Sequence, residues 1–174
     1  ALDIFNKIKD YFWKSISLIK FSGIMFSKGE ISNSDSNYDE AIKIINSSEN
    51  EGEYKSGNLS IIALELAKQG NIRKVFNVID MIGYFPNKVE LFSEIAIELS
   101  KQERINEALV FIKMIGNDSN EHHIFKNMAI EFTKHGQFNL AMNLFDLSQD
   151  SLTTLAIAEG IINFLELDLV VRNG

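Results

Sequence analysis

The chain has 174 residues, of which 45% are hydrophobic and none is cysteine; it can therefore bury a continuous core without disulfides, and it lacks thiol catalysis and thiolate zinc sites. Its formal net charge of −7 argues against a nucleic-acid partner, because phosphate binding depends on clustered lysine and arginine. No apolar run approaches the roughly 20 residues that cross a bilayer, so we expect a soluble, cytoplasmic protein without membrane contact.

The sequence predicts ten helices that alternate between second-of-pair and first-of-pair positions and make about five antiparallel helix pairs. Apolar residues recur at i, i+3, i+4 and i+7, as in Leu59, Ile62, Ala63 and Leu66, which is typical of one helix face. In chain order, we place the helices at 1–12, 15–28, 38–49, 56–69, 72–83, 87–102, 105–116, 119–135, 138–148 and 151–167. The chain is then a single all-α domain over 1–174, with an incomplete repeat at its N-terminus and a last helix and tail at 151–174.

A repeat with a step of 33 residues fixes this register. One small residue recurs in three related segments, and a second small or branched residue follows each of them by 12 positions. The two columns are Ala63, Ala96 and Ala129, and then Val75, Ala108 and Ala141. Repeats of this size predict stacked helix pairs, because one pair cannot bury its apolar face alone. In the first pair, Ser22 takes the position of the first column and Ala41 that of the second.

Turn residues mark the ends of the helices. Gly29, Gly70 and Gly136 follow first-of-pair helices, where a left-handed residue turns the chain. Glu103 occupies the same position, so we predict backbone strain of roughly 1 to 2 kcal/mol there. Two capping boxes are also predicted, and they pair Asn87 with Glu90 and Asn37 with Glu40.

One irregularity interrupts the repeat. Ala41 follows Gly29 by twelve positions, whereas Val75 follows Gly70 by five. We therefore predict a polar insertion at 29–38 that forms a solvated loop, since its composition cannot bury enough apolar surface to become ordered.

The repeated columns resemble the tetratricopeptide repeat. Besides the two columns above, the matching positions are Leu59, Phe92 and Phe125; Gly70, Glu103 and Gly136; and Ile79, Ile112 and Phe145. The chain departs from the family in its step, usually 34, in having Leu66, Leu99 and Phe132 where tyrosine is expected, and in lacking the terminal proline. Pentatricopeptide and Sel1-like repeats therefore remain open. The resemblance implies a right-handed α-solenoid with a concave groove, acting as a non-catalytic protein-binding scaffold without a cofactor.

By this resemblance, the ligand faces the inner side of each first-of-pair helix. The candidate residues are Ser60, Ser93 and Lys126; Leu64, Ile97 and Ile130; Ala67, Ser100 and Thr133; and Lys68, Lys101 and Lys134. The apolar column predicts a groove for an amphipathic or extended peptide, or else packing against the adjacent repeat. The last lysine column has a second explanation, because the helix dipole favours lysine near a helix C-terminus.

The sequence carries no pattern typical of an active site or a metal site. His122, His123 and His135 have no histidine partner at i+4, and no phosphate-binding or nucleophile motif occurs. The recurring Glu65, Glu98 and Glu131 predict ion pairs at i+3 with Lys68, Lys101 and Lys134.

The C-terminal helix favours a second interpretation of the chain. Ile157, Ile161, Ile162 and Leu165 give it an apolar surface that further repeats, the tail, or self-association with a second copy would cover. The chain would then be a structural or oligomerisation segment of a larger regulatory or secreted bacterial protein. A third interpretation, RNA binding of the pentatricopeptide kind, is disfavoured by the acidic charge.

Overall fold

The computed structural model of the chain describes residues 7–47, 53–83, 88–115, 122–148 and 150–173. Over these ranges it contains nine α-helices and no strand, which confirms the all-α class. The helices are α1 Tyr11–Ser27, α2 Ile31–Ser47, α3 Glu53–Lys68, α4 Ile72–Met81, α5 Lys88–Lys101, α6 Ile105–Ile115, α7 His122–Lys134, α8 Phe138–Ser148 and α9 Ser151–Asn173.

The chain divides into two compact units, residues 1–86 and 87–174. In the first unit, α1 packs on α2 and α3 packs on α4, while α3 also contacts α1 and α2. In the second unit, α5 pairs with α6 and α7 pairs with α8; α5 also contacts α7, and α6 contacts α8. The last helix, α9, packs on α7 and α8. That residues 1–174 form a single repeat domain stays a prediction.

The two columns of the 33-residue repeat lie in the core of these units. All six side chains have no exposed surface, and each pair belongs to two helices that contact one another: Ala63 and Val75, Ala96 and Ala108, Ala129 and Ala141. Larger apolar side chains surround them; Phe92 and Phe111, for example, lie with ring centroids 6.1 Å apart between α5 and α6. Burial of one such large side chain stabilises the fold by roughly 1.5 to 3 kcal/mol.

Four turns of the same geometry end the first helix of each pair. Gly29, Gly70, Glu103 and Gly136 have φ values of 78°, 71°, 60° and 69°. At Glu103, its own N–H donates to the Ser100 carbonyl at 3.0 Å, and the Arg104 N–H donates to the Leu99 carbonyl at 3.0 Å. These two bonds form a Schellman motif, which satisfies carbonyls that the helix end leaves without partners. The predicted left-handed residues, including Glu103, are therefore confirmed.

The helix α1 is the counterpart of the helix predicted at 15–28 and begins four residues earlier, at Tyr11, while the helix predicted at 1–12 can be compared with the structure only from residue 7. Residues 7–10 are not helical, and residues 1–6 lie outside the described residues. Asp10 caps α1, because its Oδ1 accepts a hydrogen bond from the Trp13 N–H at 2.9 Å. Asn87, predicted as the cap of α5, also lies outside the described residues.

The prediction of a loop insertion at 29–38 is wrong, because α2 begins at Ile31. Ser22 Oγ in α1 donates to the Ser34 carbonyl at 2.8 Å and lies 3.0 Å from Ser34 Oγ. Asn37, predicted to cap the helix, lies within it, and its Nδ2 donates to the Asn33 carbonyl at 2.7 Å. Serine and asparagine are weak helix formers, so these buried contacts with α1 and within α2 hold the segment helical.

The extra residues of the first pair therefore lie at the C-terminal end of α2. Ser34 follows Gly29 by five positions, as Val75 follows Gly70, so Ser34 and not Ala41 is the equivalent of Val75. The helix α2 has 17 residues, whereas α4 has 10 and α6 has 11. Its additional turns continue along α1, where Ser15 Oγ donates to the Ala41 carbonyl at 3.2 Å. The irregularity is thus a helix extension of about two turns.

Candidate functional site

The predicted ligand-facing residues lie on three helices, one from each regular pair. In the first unit, α3 carries Ser60, Leu64 and Lys68, and in the second unit, α5 carries Ser93, Ile97 and Lys101 while α7 carries Lys126, Ile130 and Lys134. Of these helices, α5 and α7 contact one another, and the charge of Lys101 on α5 acts on Glu131, which follows Ile130 on α7.

The apolar column stays partly open in the folded chain. Ile130 is 38% exposed, and Leu64 and Ile97 are half-buried. Flanking apolar residues of the same helices, such as Leu66 and Leu99, are fully buried. A side chain that served only to fill the core would share that burial, so the column occupies the margin between core and surface.

The lysine columns lie at the surface beside the apolar column. Lys68, Lys101, Lys126 and Lys134 are all exposed. Lys101 follows Ile97 by four residues and Lys134 follows Ile130 by four, so each pair shares one helix face. The same spacing joins Leu64 to Lys68 in the first unit. Each of the three helices thus presents an apolar side chain with a cation one turn further on.

The two serines of the predicted site differ in exposure, and each donates a hydrogen bond to its own helix. Ser93 is buried, and its Oγ donates to the Glu90 carbonyl at 2.7 Å. Ser60 is half-buried and donates to the Ser56 carbonyl at 2.9 Å. These hydroxyls satisfy their own helices, which explains how they are accommodated beside the core.

A third predicted column, formed by Ala67, Ser100 and Thr133, is fully buried, so its assignment to a ligand surface is wrong. The reason is visible at Thr133, where α9 crosses α7. A Cβ atom added to Gly160 of α9 would overlap the Oγ1 atom of Thr133, so the two helices touch there through glycine. This column therefore belongs to helix packing.

Charged groups cluster around Glu131, next to Ile130. Lys134 Nζ lies 2.9 Å from Glu131 Oε1, and His135 Nε2 lies 4.0 Å from Oε2. The hydrogen bond from Lys134 lowers the pKa of Glu131, and the positive charges of Lys134, Lys101 and His135 lower it further, against a smaller opposing effect of burial. The predicted ion pair at i+3 is confirmed here. Glu98 instead accepts a hydrogen bond from Gln102 Nε2 at 3.2 Å.

One polar cluster in the first unit was missed by the sequence prediction. Lys74 Nζ lies 2.7 Å from Asp35 Oδ1, outside hydrogen-bond geometry, and 4.5 Å from the centroid of the Tyr38 ring. Burial raises the pKa of Tyr38, nearby Asp39 raises it further, and a hydrogen bond with Asn77 opposes them. A cavity of about 460 Å³ opens beside this cluster. The predicted loop at 29–38 concealed it, because Asp35 and Tyr38 share a face only when their segment is helical.

Within the described ranges, no three or more histidine, aspartate and glutamate side chains lie close enough together to hold a metal ion. His123 is exposed, and His135 makes the contact with Glu131 given above. Among the helices that the structure describes, none is long and apolar enough to cross a membrane.

No protein-family model matches the sequence, and comparisons with curated proteins and with solved structures give no significant match. The resemblance to the tetratricopeptide repeat therefore depends on the column residues themselves.

Proposed function

We propose that the chain is a non-catalytic, tetratricopeptide-like α-solenoid that binds a protein or peptide through the concave face of its first-of-pair helices. Two features of the fold support the stacking of helix pairs. Inside each unit, helices contact both their neighbours in sequence and the next helix but one. The same left-handed turn recurs every 33 residues at Gly70, Glu103 and Gly136, as expected of successive copies of one structural unit.

The partial exposure of Leu64, Ile97 and Ile130 carries the proposal for the binding face. These residues hold one repeat position, and apolar residues two positions further along, such as Leu66 and Leu99, are completely buried. Burying what remains exposed would contribute on the order of 1 kcal/mol for each side chain. A surface of this kind suits a ligand that offers apolar side chains at regular intervals.

The lysines at i+4 define the remaining chemistry of the ligand. Lys101 and Lys134 lie one helical turn from Ile97 and Ile130. Lys134 forms an ion pair with Glu131, while Lys101 on α5 and Lys126 on α7 lie exposed. We propose an amphipathic or extended peptide whose apolar residues alternate with carboxylates.

The test compares two triple variants of the full chain. The column variant carries Leu64→Asp, Ile97→Asp and Ile130→Asp. The control variant carries Ile61→Asp, Val110→Asp and Met142→Asp, which are 50%, 45% and 48% exposed and lie outside the column. Both variants add the same charge, and far-UV circular dichroism verifies that both keep the helical fold.

Binding is measured first by selecting peptides from a random displayed library with the unmodified chain. The affinity of the selected peptides for all three chains is then determined by fluorescence anisotropy. We expect the control to bind within about threefold of the unmodified chain and the column variant to bind at least about 100-fold more weakly, since each buried carboxylate costs more than the contact it replaces. Equal loss in both variants, or full binding by the folded column variant, would refute the assignment of this face.

A further inference from the structure

The last helix, α9, buries one face and leaves another open. Its buried side chains are Thr153, Ala156 and Ile157, which are 0%, 4% and 5% exposed. On the same side, Gly160 meets Thr133 of α7, and the Phe164 ring packs edge-on against Phe138 of α8 at 5.2 Å. These contacts dock α9 on the preceding helix pair.

The opposite side of α9 carries an apolar stripe, which we define as Leu155, Ala158, Ile162 and Leu165. All four residues are exposed, and the three larger side chains are 54%, 55% and 52% exposed. Their spacings are three, four and three residues, which is the a and d pattern of a coiled-coil seam. A seam of this kind normally faces another helix.

The repeat register indicates what kind of element fits this stripe. One step of 33 residues earlier, Ala158, Ile162 and Leu165 correspond to three residues of α7, namely Phe125, Ala129 and Phe132. Those three are at most 1% exposed, and α7 packs against α8. An apolar helix packed alongside α9 would bury the stripe as α8 helps to bury its counterpart on α7.

The spacing of the stripe makes it complementary to itself. The order three, four, three reads the same in both directions, so two antiparallel copies place an apolar residue opposite an apolar residue at every position. Ala158 faces Ile162 of the second copy, and Leu155 faces Leu165 of the second copy. Each copy contributes one Ala158 to the interface, and this small side chain permits close approach of the two helix axes.

The charges beside the stripe are compatible with this pairing. In the same register, Glu159 lies opposite Ile161 of the second copy, and Glu166 lies opposite Thr154 of the second copy. No glutamate of one α9 therefore faces a glutamate of the other. A parallel pair would instead bring each glutamate beside its own counterpart, and like charges at close range weaken association.

We propose that two copies of the chain associate through an isologous, antiparallel pairing of their α9 helices along this stripe. The surface is distinct from the proposed ligand-binding column, so it adds self-association to the proposed function and does not depend on it. One helical seam per interface is small, so we expect a dissociation constant in the range of about 1 to 100 μM.

Sedimentation equilibrium of the full chain, from about 1 μM to about 1 mM, tests the proposal. The matched variants are Ile162→Asp, within the stripe, and Leu167→Asp, which is 68% exposed on the same helix but outside the stripe. We expect a monomer–dimer equilibrium. Leu167→Asp should change its dissociation constant by no more than about threefold, whereas Ile162→Asp should raise it at least about 100-fold, because the symmetric interface would then bury two carboxylates. A monomer at every concentration, or equal weakening by both variants, would overturn the proposal.

Disulfide trapping tests the register, since the chain has no cysteine of its own. Chains carrying Ala158→Cys are mixed with chains carrying Ile162→Cys, and chains carrying Leu167→Cys serve as the control. The antiparallel register predicts that the mixed 158–162 disulfide dominates over both symmetric disulfides, because only opposed Cβ atoms come within bonding range. Dominance of the symmetric 162–162 disulfide would mean parallel helices and would overturn the proposed pairing.

Discussion

Replacing Glu103 by glycine should stabilise the protein. Among the described residues, Glu103 alone has a positive φ without being glycine, with φ at 60°. A side chain with a Cβ atom costs roughly 1 to 2 kcal/mol in this region. Glycine removes that cost but gives the unfolded chain more freedom, which offsets about 0.4 to 1 kcal/mol. We therefore predict that Glu103→Gly raises the free energy of unfolding by about 0.5 to 1 kcal/mol and the melting temperature by about 1 to 4 °C.

Thermal and urea unfolding, followed by far-UV circular dichroism, measure this change. Glu103→Ala is the first control, because it removes the carboxylate but keeps the Cβ atom, so it should leave stability nearly unchanged. Gly29→Ala is the second control. Gly29 has φ at 78° and open space where alanine would place its Cβ atom, so this substitution should lose about 1 kcal/mol through backbone strain alone. The reasoning is refuted if Glu103→Ala stabilises as much as Glu103→Gly, or if neither variant differs from the unmodified chain.

Three further predictions concern packing and charge. Ala96→Leu should lower the free energy of unfolding by roughly 1 to 3 kcal/mol by overpacking α5 against α6; a neutral result in urea would contradict the close crossing. Gly160→Ala should destabilise the protein by a similar amount despite alanine's better helix propensity, because the added Cβ atom would overlap Thr133. Gly57→Ala, in open space on α3, should instead stabilise it by about 0.5 to 1 kcal/mol. Urea unfolding compares the two variants, and a change of the same sign in both free energies of unfolding would argue against the α7–α9 contact. An NMR pH series should show the pKa of the Glu131 carboxyl below its ordinary value of 4.5. The stabilising effect of this carboxylate is then complete above pH 4.5 and is lost as the pH falls through the lowered pKa. Lys134→Ala should raise the pKa of Glu131, and an unchanged pKa in this variant would show that the ion pair does not cause the shift.

The sequence was informative wherever the repeat imposed a backbone or packing requirement. The left-handed conformation of Glu103 followed from its alignment with Gly70 and Gly136, although glutamate itself gives no such signal. The buried columns followed in the same way, because a close helix crossing admits only small residues wherever it recurs.

The first helix pair was placed wrongly because a polar residue replaces an apolar one in the second column. Ala41 looks like the equivalent of Val75 by its chemistry, whereas Ser34 holds that position in the structure. Serine can do so because Ser22 in the partner helix satisfies its hydrogen bonds, and that pairing depends on tertiary contact. Local composition therefore predicted a loop where the fold contains the first two turns of α2.

In the candidate site too, the sequence predicted the contacts within one helix and missed those that depend on a neighbouring helix. Helical spacing correctly placed Lys134 beside Glu131, since both lie on one helix. It did not separate Thr133, which is buried under α9, from the exposed Ile130, because that difference arises from a neighbouring helix. Which face of such a helix a neighbouring helix covers depends on tertiary packing, which helical spacing alone does not reveal.

The contact between Ser22 and Ser34 also bears on how a repetitive chain finds its correct partners. Helices that meet through alanine and valine are interchangeable in their chemistry, so similar repeats can exchange partners during folding. The hydroxyl of Ser22 lies 3.0 Å from the hydroxyl of Ser34 in a buried position, and the equivalent residues Val75, Ala108 and Ala141 carry no hydroxyl. Pairing α1 with a helix from another repeat would forfeit the hydrogen bond between these hydroxyls inside an apolar contact, at a cost of about 1 to 3 kcal/mol. The serine pair thus favours the pairing of α1 with α2 over the pairing of α1 with a helix from another repeat.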